Sequence, residues 1–99
     1  MTDIPADSIV SRTFHKDAQF KAVLFGFDAG QSLSEHSAGQ TAVIHILSGT
    51  ATITLGEDTF EVGSGAWMHL PPRLKHSVLA KSPLVMLLLL VNAGAEDAG

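Results

Sequence analysis

The chain has no cysteine and no tyrosine, and it is short of cations: six Lys and Arg stand against ten Asp and Glu, a formal net charge of −4. Without cysteine there is no disulfide, no thiol nucleophile and no thiolate metal centre. The scarcity of Lys and Arg removes the basic surface that a phosphate backbone requires, so nucleic acid is not an expected partner. Long hydrophobic runs are missing too. The apolar run at 84–91 has eight residues, where a membrane helix needs about 20, so no membrane partner is expected. The first ten residues carry Asp3 and Asp7 and no apolar stretch, unlike a secretory signal, and the protein is expected to be cytoplasmic. Neither a G-x-S-x-G elbow, a Walker loop nor an H-E-x-x-H pair occurs.

What remains is compact and β-rich. Ninety-nine residues, 45% hydrophobic and 16% charged, suit one domain with a single core. Strands are expected at 9–15, 20–27, 32–37, 41–47, 50–55, 59–62, 66–70, 76–80 and 84–91. Gly30, Gly49, Gly56, Gly63 and Gly65 mark turns, and Pro71-Pro72 forces a bend. A helix at 84–91 is disfavoured by Pro83 on one side and Asn92-Ala93-Gly94 on the other. Nine short strands with turn signals every eight to twelve residues describe a sandwich or jelly roll. The expected layout is an N-terminal edge strand or arm at 1–19, a barrel at 20–91 and a flexible acidic tail at 92–99.

Two stretches carry a more specific signal. The first runs from Gly30 through His36 to Gly49, and the second contains Gly65, Pro71 and His76. These spacings resemble the two signature motifs of the cupin superfamily, G-x5-H-x-H-x3-E-x6-G and G-x5-P-x-G-x2-H-x3-N. Gly30, His36, Gly49, Gly65, Pro71 and His76 match. Ala38 and Ala42 stand where the first motif has a second histidine and a glutamate, and Arg73 and Ala80 depart from the second. The resemblance covers about 20–91 and implies a small all-β jelly-roll barrel. The 15 residues between Gly49 and Gly65 suit the minimal two-strand connection of small members.

By that resemblance His36 and His76 lie on neighbouring strands and point into the barrel. Two imidazoles can hold a divalent transition metal (Zn, Ni, Cu or Fe) only weakly, since catalytic sites normally have three protein ligands and an open position. Ala38 and Ala42 cannot supply the third, and Gln40 and Thr41 offer only neutral oxygens. The alternative is a pair of pocket histidines hydrogen-bonded to each other, to water or to an anion. The resemblance also makes the strands of His45 and His69 neighbours in the opposite sheet, which opens a rewired four-histidine site. Strand parity opposes it for His45, because Ala42, Ile44 and Ile46 should face inward together; for His69 the orientation is undetermined. Ile44, Ile46, Phe25 and Met86 are the expected apolar walls of a ligand pocket. Arg73 and Lys75, in the turn before His76, are either solvated turn residues or a positive rim for a small, anionic organic ligand. Glu35 is a poor candidate base, since neighbouring strand residues face opposite ways. His15 is expected at the surface, and Trp67 and Met68 in core or interface.

Three functions follow from the resemblance: a binding domain for a small ligand or metal, a metalloenzyme of isomerase, dioxygenase or lyase type with a non-standard histidine set, or a degenerate barrel kept for structure. A homodimer is expected from patterning alone. Both faces of 42–47 and 84–91 are largely apolar, whereas a strand with one wet face alternates.

Overall fold

The structure, a computed structural model, describes residues 4–36 and 39–92, the side chains of 34–36 excepted. Nine strands are described: β1 (Ile9–Lys16), β2 (Phe20–Phe27), β3 (Ser32–His36), β4 (Thr41–Ser48), β5 (Ala51–Leu55), β6 (Asp58–Val62), β7 (Trp67–Leu70), β8 (His76–Ala80) and β9 (Leu84–Val91). They form a five-stranded sheet of order β1-β2-β9-β4-β7 and a four-stranded sheet of order β3-β8-β5-β6. The pairings are antiparallel throughout. This is the all-β, small jelly-roll barrel that the spacing implied. Among the described residues no helix is long and apolar enough to cross a membrane.

One core lies between the sheets. Phe27, Ile44, Ile46, Leu84 and Met86 enter from the five-stranded sheet, and Ala51, Ile53, Val78 and Ala80 from the four-stranded one. Strand alternation does the sorting. In β4, Ala42, Ile44 and Ile46 are buried while Thr41, Val43 and His45 are only partly so. The alanines keep the inner faces flat enough for two sheets to close over bulky side chains at native density.

Two connections cross between the sheets at the same place. The chain leaves β4 for β5 through Gly49 and Thr50, and leaves β8 for β9 through 81–83. The Thr50 amide donates to Ser82 Oγ at 3.0 Å and the Lys81 amide to the Thr50 carbonyl at 2.9 Å. Gly49 has φ +90°, and a Cβ there would overlap the Pro83 carbonyl oxygen and lie 3.0 Å from Leu84 Cα. Only glycine lets these two backbones meet.

β1 extends the five-stranded sheet at its edge, paired to β2 with a register shift between Thr13 and His15. Asp17 closes the β1–β2 turn, accepting from the amides of Gln19 and Phe20 at 2.7 and 2.9 Å and from His15 Nε2 at 2.8 Å. The Phe20 amide, then His15 and the Gln19 amide, hold the Asp17 carboxyl down at about 2. The tail expected to be flexible falls, from 93 on, outside the described residues.

Candidate functional site

β3 and β8 pair so that His36 and His76 are direct cross-strand partners. Beyond that backbone register the His36 side chain lies outside the described residues, as does Ala38. His76 is 6% exposed, the buried polar residue of the described core. Its Nδ1 donates to the Leu74 carbonyl at 3.1 Å, which makes Nε2 the lone-pair nitrogen of the neutral ring, the one able to accept a proton or bind a metal. Leu55 is its cross-strand partner on the other side.

The turn before His76 carries an unusual residue. The Leu74 amide donates to the Pro71 carbonyl at 3.3 Å, with Pro72 next and Arg73 third at φ +66°. That is the pattern of a type II turn, whose third position calls for glycine. Arg73 occupies it at a conformational cost of about 1–2 kcal/mol. Arg73→Gly is therefore expected to raise stability by about 0.5–1 kcal/mol, part of the gain being lost to the freer unfolded chain. Thermal unfolding monitored by circular dichroism checks it, with a rise of roughly 4–8 °C per kcal/mol in a domain of this size.

The same turn connects His76 to Leu70, the last residue of β7. Leu70 pairs with Ala42, Ala42 with Leu90, Leu90 with Lys21 and Lys21 with Lys16. Cross-strand partners share a face, so Lys21 sits in the final inner-face row of the five-stranded sheet, and it is half-buried. Sequence reasoning missed it, because one lysine in the apolar run 20–27 has no visible facing until β2 is registered against β9. With Lys16, Arg73 and Lys75 it puts four of the six cations at the His76 end of the barrel. Four acids share that end: Glu57 in the β5–β6 turn, Asp58 at the start of β6, Asp17 in the β1–β2 turn and, by its backbone position beside His36, Glu35. Gln40 Nε2 donates to Asn92 Oδ1 at 2.6 Å, and Asn92 Nδ2 to the Ala18 carbonyl at 2.8 Å. These bonds tie β4, β9 and the β1–β2 turn together there.

The remaining predicted residues are placed elsewhere. His45 lies between Ile44 and Ile46, which are 1% and 0% exposed, so it faces outward as parity required. His69 pairs with Val43, and Trp67 with His45. Both therefore share that outer face, and the structure does not bring His45 and His69 to His76. A four-histidine centre inside the barrel does not form. Ile44, Ile46 and Met86 are packed core rather than pocket wall, with Phe25 against them. They occupy rows deeper than Ala42 and Leu90, and among the described residues no cavity opens, either beside them or at the His76 end. At that end Leu55 pairs with His76 in one sheet, and Leu70, Ala42 and Leu90 share a row of the other. Arg73 and Lys75 are exposed, as is His15, stacked on Phe20 at 4.6 Å.

The described donors do not make up a three-ligand metal centre, the His36 side chain lying outside the described residues. Among the described residues no three His, Asp or Glu side chains come together. Ala42, in the glutamate slot, presents a methyl 2% exposed against Leu70 and Leu90.

A two-sheet jelly-roll barrel, with its paired histidine positions at one end, defines a class of small β-barrel domains. The family model described as "Cupin domain" matches residues 23–92, and the chain belongs to that family. A curated relative, the uncharacterized protein SCO3923 of Streptomyces coelicolor, is 30% identical over 63 residues, 64% of this chain and 60% of the relative. The chain thus matches less than two-thirds of that relative's length. The conserved SPY1581 protein of unknown function from Streptococcus pyogenes is similar at 32% identity and TM-score 0.82, over 89% of this chain and 77% of the other. The salicylate 1,2-dioxygenase of Pseudoaminobacter salicylatoxidans, as a W104Y mutant in complex with gentisate, shares the fold at TM-score 0.81 and 10% identity, over 91% of this chain and 27% of the enzyme.

Proposed function

We propose that this cupin domain binds a small organic anion at the His76 end of the barrel and holds a divalent metal only weakly. The observation that supports it most is the β3–β8 register, which pairs His36 with the buried His76. Direct partners in an antiparallel pair have Cβ atoms about 4.5–5.5 Å apart, a spacing that lets two such positions serve one ligand. Cation placement supplies the sign of that ligand. Lys16 and Lys21 are direct partners, a like-charge pairing that costs stability unless an anion relieves it. Arg73 keeps a guanidinium on the rim at the expense of a favourable turn, the kind of strain found where a side chain has a use. A carboxylate seated over the part-buried Leu55 and Leu90 would gain charge-assisted hydrogen bonds at one end and apolar contact at the other.

The second reading is a metalloenzyme of isomerase, dioxygenase or lyase type. The gentisate complex named above lends it a shared fold. It requires a third ligand, and the Ala42 methyl fills the place of one.

Histidine ring resonances followed by NMR separate the readings, with small mono- and dicarboxylates, inorganic phosphate and Zn²⁺ as probes. Carboxylates should shift the His36 and His76 signals saturably. Lys21→Gln and Arg73→Gly should each weaken that binding roughly tenfold, about 1.4 kcal/mol, and Zn²⁺ should be removed by mild chelation. No response to any carboxylate at millimolar concentration overturns the anion reading. Zn²⁺ retained through chelation, and lost in His76→Ala, installs the metalloenzyme one.

A further inference from the structure

Lys16 and Lys21 are cross-strand partners where β1 turns into β2, and among the described residues neither forms an ion pair. Lys16 is exposed and Lys21 half-buried, so two like charges face each other at a partly dry place. The acid nearest in sequence does not relieve them. Asp17 engages its carboxylate with the amides of Gln19 and Phe20 and with His15 Nε2. Glu35, Glu57 and Asp58 belong to β3, the β5–β6 turn and β6, in the other sheet.

Asn92, directly after β9, sits beside the lysine pair. Its amide donates to the Gln19 carbonyl at 2.9 Å, its Nδ2 to the Ala18 carbonyl at 2.8 Å, and its Oδ1 accepts from Gln40 Nε2 at 2.6 Å. Ala18 and Gln19 lie in the turn that joins Lys16 to Lys21. Lys21 pairs with Leu90, two residues before Asn92, which by strand rise and spacing puts it roughly 8 Å from Asn92, with Lys16 one strand further. The residues that follow are Ala93-Gly94-Ala95-Glu96-Asp97-Ala98-Gly99. They hold two adjacent acids, no cation and no apolar side chain larger than alanine, so charge is what such a segment has to bind with. Four residues of chain reach at most about 14 Å, enough to bring these carboxylates to both lysines with the strands unmoved.

We infer that residues 93–99 dock on the Lys16–Lys21 pair through Glu96 and Asp97, as a tethered anion that competes with free carboxylates for the His76 end of the barrel. The competition rests on the anion reading proposed above; the docking does not. A short tether holds its acids at an effective concentration in the millimolar range. That is enough to weaken a small ligand of modest affinity. The contact is sensitive to salt, since exposed charges are screened over about 8 Å at physiological ionic strength.

The chain has no cysteine, so Ala98→Cys can carry a single nitroxide next to the two acids without removing either. In the full chain with no ligand added, the label should broaden the amide NMR signals of Lys16 and Lys21. The broadening should fall when Glu96→Gln and Asp97→Asn are added, and again at high salt. Lys21→Gln should lower it at Lys16, and Lys16→Gln serves in its place should Lys21→Gln fail to fold. In the unlabelled chain, Glu96→Gln with Asp97→Asn should tighten the binding of acetate and succinate, read from the His76 ring signals, by roughly threefold to tenfold. Broadening that is the same with and without the two acids overturns the docking, whatever the carboxylates do. An affinity for acetate and succinate that the double variant leaves unchanged overturns the competition. Should neither carboxylate bind either protein, the anion reading fails, and the broadening alone still decides the docking.

Discussion

Replacing Gly49 with alanine is expected to unfold the domain or to cost it about 4 kcal/mol or more, a loss reached only through a named structural fault. Two faults coincide. The φ of +90° alone costs an alanine about 1–2 kcal/mol. The added methyl then meets a backbone carbonyl, that of Pro83, which cannot turn aside like the tip of a side chain. Moving it would pull apart the hydrogen bonds that join Thr50 to Lys81 and Ser82, where two of the connections between the sheets pass. Gly65→Ala isolates the first fault. Its φ is +89°, and a Cβ added there would meet nothing within 4 Å, so it should cost only about 1–2 kcal/mol. Urea unfolding of the two variants measures the difference directly. Equal losses would mean that the close approach to Pro83 contributes nothing.

Phe27→Ala should destabilise by about 3–5 kcal/mol, a large share of the roughly 5–15 kcal/mol typical of a whole domain. Phe27 is 0% exposed and its ring lies 6.1 Å from that of Phe25. Its neighbours on either side are Leu84 and Ile9, held in sheet positions that cannot collapse into the space. Phe14→Ala, at 57% exposure, should cost well under about 1 kcal/mol. Phe27 belongs to the opposite end of the sheet from Lys21, so at a temperature where the variant stays folded its carboxylate affinity should match the wild type. Chemical unfolding and ligand titration on one preparation check both halves.

Why some features were readable in advance comes down to range. The strands were legible because glycine and proline act locally: Gly56 at φ +61° turns β5 into β6, and Pro71-Pro72 ends β7. The outward facing of His45 was legible because Ala42, Ile44 and Ile46 share a parity within one strand. His69 was not, since β7 has only four residues and its facing is fixed by pairing with β4, a strand far back in the chain. Lys21 needed the register of β2 against β9, which lies near the other end of the described chain. The expected pocket walls illustrate the same limit. Inward facing was read for Ile44, Ile46 and Met86, but their depth depends on how far the sheets slide past each other, which alternation does not encode. Arg73 lay between these cases. Its departure from the glycine of the cupin motif was visible, and the left-handed backbone it must adopt becomes evident once Pro72 is placed in the turn.

The strand order has a consequence for synthesis. β9, near the end of the described chain, occupies the middle of the five-stranded sheet and supplies the partner edge for both β2 and β4. Until residue 91 has left the ribosome those two apolar strands have open edges facing each other across a vacant lane, the arrangement that invites pairing between nascent chains. Folding of this domain must therefore wait for β9, and a messenger cut short before it would yield a sticky fragment rather than a smaller working domain.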